Sequence, residues 1–110
     1  MEAKMSEMTD IKQEIRILSD AIQKTTELFY TQRETEAYQA FGMILTPMAN
    51  ILDTLFAMHK IEGKPEFDEQ EFVRLMSEAV KAMEEKDGVL LADILQYDFL
   101  DQLDLIEKQL

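Results

Sequence analysis

The chain has 110 residues, a formal net charge of −12 and no cysteine, with 46% hydrophobic and 31% charged residues. This balance is typical of a folded domain rather than a disordered chain, and the length suits a single domain over residues 1–110. Without cysteine the chain cannot form a disulfide or a thiolate metal site. Direct nucleic-acid binding needs a basic surface, so we expect neither nucleic acid nor an anionic membrane as a partner.

The beginning of the sequence also bears on location. The segment MEAKMSEMTDIKQE has no apolar core of the kind that a signal peptide needs. No run approaches the roughly 18 consecutive apolar residues of a membrane-spanning helix. We therefore expect a soluble, cytoplasmic protein.

Apolar residues spaced by three and four from Met8 to Phe29 predict a first amphipathic helix over about residues 6–31. The polar run TQRETE follows and indicates a break. Thr31 and Glu34 have the spacing of a capping box, and Thr35 is a competing start for the next helix.

A second helix is predicted over about residues 35–61, where the apolar stripe continues in steps of three and four. Pro47 lies inside this stripe. A proline within a helix removes one amide hydrogen bond and clashes with the preceding turn, so we predict a kink near residues 43–46. Gly42 could ease that kink or permit the close approach of a neighbouring backbone. Two shorter helices are the alternative.

The segment EGKPEFDEQEF is a predicted loop, because Gly63 can end a helix and Pro65 prevents its continuation. Asp68 has the N-cap position of a third helix, over about residues 68–86, with Glu71 three residues later. The acidic loop lacks the alternating oxygen ligands and central glycine of an EF-hand, which favours capping over calcium binding. Gly88 is predicted to take the left-handed position after the helix.

A short connection leads to a fourth helix over about residues 89–109, so the third and fourth helices are expected to be antiparallel neighbours. The predicted fold class is therefore all-α. Its expected architecture is an antiparallel four-helix bundle whose second helix is kinked near Pro47.

The fourth helix is apolar on two sides. At 100° per residue, one arc suited to the core holds Ala92, Leu95, Phe99, Leu103, Ile106 and Leu110. Either the bundle also covers the second arc, or that arc is an exposed patch of the kind that marks interaction sites. We predict exposure, and the resulting candidate interface comprises Leu90, Ile94, Tyr97, Leu105, Asp93, Asp101 and Asp104.

The charge of this region indicates what would bind it. Residues 87–110 contain six acids and one base, Lys108. Aspartates of the same sign would face each other in a self-associating patch, although an antiparallel dimer could stagger them. A basic, partly apolar partner would suit the patch better.

No residue set indicates catalysis. His59 precedes Glu62, the reverse of the Glu-x-x-His order of di-iron bundles, and no glycine-rich elbow or phosphate-binding loop is present. We therefore expect no enzyme, no cofactor and no metal. The predicted function is a non-enzymatic protein-interaction or regulatory module that acts as a homodimer. The alternatives are an export-chaperone-like binder of a basic amphipathic client and an acidic DNA mimic that inhibits a nucleic-acid-binding protein.

The segment DGVLLADILQYDFLDQL resembles the closing segment of a family of small, uncharacterised helical proteins of Gram-positive bacteria, most recognisably at Asp87, Leu91, Asp93, Leu95 and Tyr97. That resemblance implies a bacterial, cytosolic protein and no catalytic residue. The segment LTPMANILDTLF is similar to a threonine-proline step in one family of flagellar or secretion export chaperones. This second resemblance is one of fold and places a chaperone among the candidates.

Overall fold

The structure is a computed structural model that describes the backbone of residues 2–110 and the side chains from Asp10 onward. Helices make up 85% of the chain, and no residue of this described range lies in a strand. The described residues form four helices, which confirms the all-α prediction. Met8, the first residue of the predicted apolar stripe, lies outside the described side chains.

The helices are α1 (Glu2–Tyr30), α2 (Glu34–Glu62), α3 (Glu69–Glu84) and α4 (88–107). The largest difference from the predicted bounds is at the start of α1, which begins at residue 2 rather than about residue 6. Helix α4 is continuous but not uniform, because a π-helical segment separates two α-helical ones. Its three segments are Gly88–Asp93, Ile94–Phe99 and Leu100–Glu107.

The break between α1 and α2 is made by a left-handed residue. Gln32 has a φ of 62°, and the amide of Arg33 donates to the carbonyl of Leu28 at 2.9 Å, which closes α1 with a Schellman-type bond. The Thr31 hydroxyl donates to a carbonyl one turn earlier in α1 at 2.8 Å. The predicted capping box of Thr31 and Glu34 is therefore wrong, and the N-cap of α2 has no side-chain hydrogen bond.

Helix α2 runs through Pro47 without interruption, so the alternative of two shorter helices is wrong. It ends as predicted at Gly63, whose φ is 72° and whose amide donates to the carbonyl of His59 at 2.8 Å. An 18-residue window of α2 has a mean hydropathy of 1.4, so α2 could cross a membrane by length and composition. The core helix of a soluble protein passes the same test.

Asp68 caps α3 as predicted. Its carboxylate accepts from the amides of Gln70 at 3.0 Å and Glu71 at 3.2 Å, which satisfies two amides that have no partner within the helix. This cap fixes where the loop ends and α3 begins.

The left-handed residue between α3 and α4 is Lys86, with a φ of 57°, and not Gly88. The amide of Asp87 donates to the carbonyl of Ala82 at 2.9 Å and closes α3. Gly88 is the first residue of α4 and is buried. A Cβ atom at Gly88 would lie 2.9 Å from Cδ1 of Phe29, so this glycine is needed for the close approach of α1 and α4 rather than for its φ.

Helix α1 packs along both α2 and α4, and α3 packs against α4. Among the side chains of residues 10–110, two hydrogen bonds join α1 to α4: Arg16 to Glu107 and Tyr30 to Asp93. Because α4 has α1 on one side and α3 on the other, it buries more apolar residues than a single arc would hold. Its buried residues are Gly88, Leu91, Ala92, Ile94, Leu95, Phe99, Leu103 and Ile106.

A run of aromatic rings connects the end of α2 to α4. Phe56 stacks on Phe67 at a centroid distance of 5.6 Å, Phe67 meets Phe72 at 5.4 Å, and Phe72 meets Phe99 at 5.8 Å. Phe72 and Phe99 are fully buried. Edge-to-face pairs such as the last two are favourable beyond the area that they bury. The Phe72–Phe99 pair anchors α3 to the π-helical segment of α4.

Candidate functional site

A groove of about 970 Å³ lies between α1 and α4, and we call it the α1–α4 groove. Its α1 wall is formed by Arg16, Ser19, Asp20, Gln23, Thr26, Glu27 and Tyr30. Its α4 wall is formed by Gln96, Tyr97, Leu100, Asp101, Asp104 and Glu107. Both walls are faces of long helices, so the position of each side chain is fixed by the helix that carries it.

Two contacts between the helices lie at the ends of the groove. At one end the guanidinium of Arg16 donates to the carboxylate of Glu107. At the other end the Tyr30 hydroxyl donates to Asp93 Oδ1 at 2.6 Å. At 1.5 Å per residue, α1 advances about 21 Å between these contacts. The groove is therefore as long as about four turns of helix.

The charge of the groove is strongly negative. Its lining has a net charge of −4, from five carboxylates and one guanidinium: Asp20, Glu27, Asp101, Asp104, Glu107 and Arg16. Arg16 pairs with Glu107, and Lys108 Nζ lies 3.0 Å from Asp104 Oδ2 in an exposed pair. Among the side chains of residues 10–110, Asp20, Glu27 and Asp101 make no ion pair. These carboxylates can accept charged hydrogen bonds from lysine or, in two-point fashion, from arginine.

Aromatic and apolar surface accompanies the acids. Tyr97 is 65% exposed, Tyr30 is 44% exposed, and Leu100 is half-buried. Burial, followed by the hydrogen bond to Asp93, raises the pKa of the Tyr30 phenol to about 12. Tyr30 therefore remains a neutral donor at physiological pH. The groove offers a neutral aromatic surface beside its carboxylates.

The π-helical segment Ile94–Phe99 explains which residues of α4 reach the groove. The amide of Leu100 donates to the carbonyl of Leu95, five residues earlier, as a π turn requires. Such a turn holds more residues than an α turn, so the rotation per residue is smaller than 100°. Within this segment Tyr97 lines the groove, whereas Ile94, the first residue of the segment, is buried. Short π segments within α-helices occur frequently at functional sites.

The residues of the predicted interface do not form one surface: some line the α1–α4 groove, some are exposed outside it and one is buried. Tyr97, Asp101 and Asp104 line the α1–α4 groove, and the half-buried Asp93 lies at its end through the bond to Tyr30.

Leu90 and Leu105 are 45% and 50% exposed but are not part of the groove lining. Ile94 is only 4% exposed, so its predicted exposure is wrong. The π turn makes the angle between Ile94 and the later residues of α4 differ from a projection at 100° per residue, and the segments on both sides of this junction pack against α3.

The sequence did not identify the α1 wall of the groove. Asp20 and Glu27 are seven residues apart, which places them on one face of α1, and that spacing is a readable signal. Nothing in the sequence shows that this face borders α4, because the pairing of the two helices depends on the tertiary packing.

Polar side chains outside the α1–α4 groove do not form a second candidate site in the described part of the chain. In the described part of the chain, no group of three or more histidine, aspartate or glutamate side chains is arranged to hold a metal ion. His59 Nδ1 lies 2.9 Å from the carbonyl oxygen of Pro65, in the loop after α2. The buried Tyr38 hydroxyl has no hydrogen-bond partner among the described residues, and burial raises its pKa. Neither residue lines the α1–α4 groove.

These features define an acidic, all-helical protein with an open groove between two of its helices. The chain belongs to the DUF8042 family, described as a domain of unknown function, whose profile matches residues 6–109. This match confirms the prediction of an uncharacterised family. No curated protein and no solved structure matches the chain.

Proposed function

We propose that this protein is a non-enzymatic interaction module that binds a basic, partly apolar segment of another protein in the α1–α4 groove. The observation that carries the proposal is the combination of a net charge of −4 with the exposed ring of Tyr97 in one concave surface. Complementary charge steers a partner and suppresses wrong ones. Exposed tyrosines supply contact area at low entropic cost, which is why they are enriched at protein interfaces.

The framework of the module, in this proposal, is an antiparallel four-helix bundle that forms one domain. The order of the contacts supports it, since Arg16 precedes Tyr30 in α1 whereas its partner Glu107 follows Asp93 in α4. A kink of α2 near Pro47 belongs to the same proposal, because the proline has no amide hydrogen to donate.

The proposed setting is the cytoplasm of a Gram-positive bacterium, on the basis of the resemblance of residues 87–103 described above. In that setting the module would act like an export chaperone that shields a basic amphipathic client.

A homodimer through the predicted interface receives less support. With Ile94 buried, the apolar part of that surface is reduced to Leu90, Tyr97 and Leu105, and less apolar area is left to offset the cost of association. Two copies would also bring identical carboxylates together unless an antiparallel arrangement staggered them. A DNA mimic would need acids spread over a broad surface, whereas these acids lie in a groove between two helices.

The proposal is tested by binding a synthetic amphipathic helix rich in arginine and leucine to the full chain, measured by fluorescence anisotropy. The double variant Asp20→Asn with Asp101→Asn removes two groove charges and keeps the side-chain shape. We expect its affinity to fall by at least about tenfold, because each charged hydrogen bond is worth roughly 1.5–3 kcal/mol.

The matched control is Glu84→Gln with Glu85→Gln, which removes the same charge from the exposed end of α3. The affinity of this control for the peptide should change by less than about twofold, because salt screens exposed charges that lie far from the groove. An equal loss in both double variants would show that binding follows net charge alone and would contradict a groove site.

A further inference from the structure

Building on the proposed function, we infer that the α1–α4 groove selects one pattern of helix: basic residues at positions i, i+3 and i+7 with an apolar residue at i+4. The occupant is therefore a single amphipathic helix of about four turns in another protein. The pattern is derived from the positions of the acids and aromatic rings along the groove, which are unevenly distributed.

The two end contacts set the register of α1 against α4. Arg16 faces Glu107 and Tyr30 faces Asp93, so residue numbers in α1 rise as those in α4 fall. By interpolation, Asp20 lies opposite about residue 103 of α4, beside both Asp101 and Asp104. Three carboxylates therefore converge near the Arg16 end, and we call this the acid-rich end.

The opposite end of the groove has a different composition. Glu27 lies opposite about residue 96, next to Tyr97 and one turn from Tyr30. We call this the aromatic end. Glu27 is the one lining carboxylate of this end. It lies seven residues from Asp20, a distance of about 10.5 Å along the axis of α1.

A helix lying in the groove has the same rise of 1.5 Å per residue, so its own positions reproduce these separations. Basic residues at i and i+3 reach the acid-rich end, where Asp101 and Asp104 are also three residues apart. A basic residue at i+7 reaches Glu27. Positions i, i+3, i+4 and i+7 share one face of a helix, so the apolar residue at i+4 points at Leu100 and Tyr97 between the two basic ends.

Arginine suits these positions better than lysine for two reasons. Its guanidinium can donate two parallel hydrogen bonds to a carboxylate, and it can lie over the face of a tyrosine ring such as that of Tyr97. The groove already contains one arginine–carboxylate pair, in which Arg16 Nε donates a single hydrogen bond to Glu107 Oε1.

The test uses two 16-residue synthetic peptides of arginine, leucine and alanine with identical composition and matched helicity. The first has arginines at i, i+3 and i+7 and leucine at i+4, and the second has the same residues spread around the helix. We expect the patterned peptide to bind the full chain at least about tenfold more tightly. This difference should shrink to under about threefold in the double variant Glu27→Gln with Asp104→Asn.

Equal binding of the two peptides, with binding still lost in the Asp20→Asn, Asp101→Asn variant, would overturn the pattern and leave the proposed groove intact. Peptide binding that no groove substitution weakens would overturn both. Light scattering on the free chain provides a further test. A dimer that dissociates in the same groove variants would show that a second copy occupies the groove, which would also overturn the inference.

Discussion

The two helices that flank α4 contact it in different ways. On the side of α3 the contact is aromatic: the fully buried rings of Phe72 and Phe99 pack edge to face at a centroid distance of 5.8 Å. On the side of α1, a buried layer is overlain by an open groove lined by carboxylates and tyrosines. One helix thus supplies both the core and the candidate site. Helix α4 is therefore rich in apolar residues because it packs against two helices, and not because it carries one large exposed apolar patch.

The largest expected effect separates the closed side of α4 from its open side. Phe99→Ala should lower the free energy of unfolding by about 3–5 kcal/mol, because the deletion leaves a cavity beside Phe72. Urea denaturation measures this loss. Tyr97→Ala, two residues away and 65% exposed, is the control and should cost less than about 1 kcal/mol. Equal losses would mean that Tyr97 is also part of the core.

A smaller effect is expected where α1 and α4 approach most closely. Gly88→Ala places a methyl group 2.9 Å from Cδ1 of the buried ring of Phe29, and the overpacking should cost about 1–3 kcal/mol. Thermal and urea denaturation both report it. Gly42→Ala is the matched control, since a Cβ there has no atom within 4 Å and alanine favours a helix. Gly42→Ala should be neutral or stabilising, and the opposite ranking would contradict this account of Gly88.

The smallest effect concerns the aromatic end of the groove and depends on pH. The pKa of Tyr30 is about 12 in the folded chain and close to the ordinary value of 10 when unfolded. The neutral phenol therefore contributes stability that is fully present below pH 10 and is lost as pH rises toward 12. Asp93→Asn should lower the pKa of Tyr30, because it removes the acceptor charge.

Ultraviolet titration of the phenols near 295 nm measures this shift, and Tyr30→Phe identifies the transition that belongs to Tyr30. We expect the transition near pH 12 to disappear in Tyr30→Phe, which assigns that transition to Tyr30. An unchanged titration curve in Asp93→Asn would contradict a role of Asp93 in raising the pKa.

The sequence was most informative where a single residue determines local structure. Asp68 and Gly63 predicted a helix start and a helix end because an N-cap carboxylate and a left-handed glycine act on adjacent backbone groups. The same reasoning failed at Gly88, where Lys86 takes the left-handed position instead. There the glycine is required by Phe29, a residue 59 positions earlier in the chain, and no local pattern reveals such a contact.

The candidate site was half predicted for a similar reason. Tyr97, Asp101 and Asp104 could be located from the composition of α4. Ile94 was misplaced because the projection assumed 100° per residue through a segment that is π-helical. The α1 wall was missed because no periodicity states which helix faces which. The burial of Ile94 and the pairing of α1 with α4 both depend on the tertiary arrangement.

The π turn of α4 also bears on how the length of this chain can vary. A π turn bonds across five residues where an α turn bonds across four, so the segment Ile94–Phe99 acts as a one-residue insertion in an α-helix. A relative that lacks one residue here would keep Leu103 and Ile106 directed into the core, with an uninterrupted α-helix before them. Such a relative would lose the local widening that presents Tyr97, and its groove would be lined differently while its fold stayed the same.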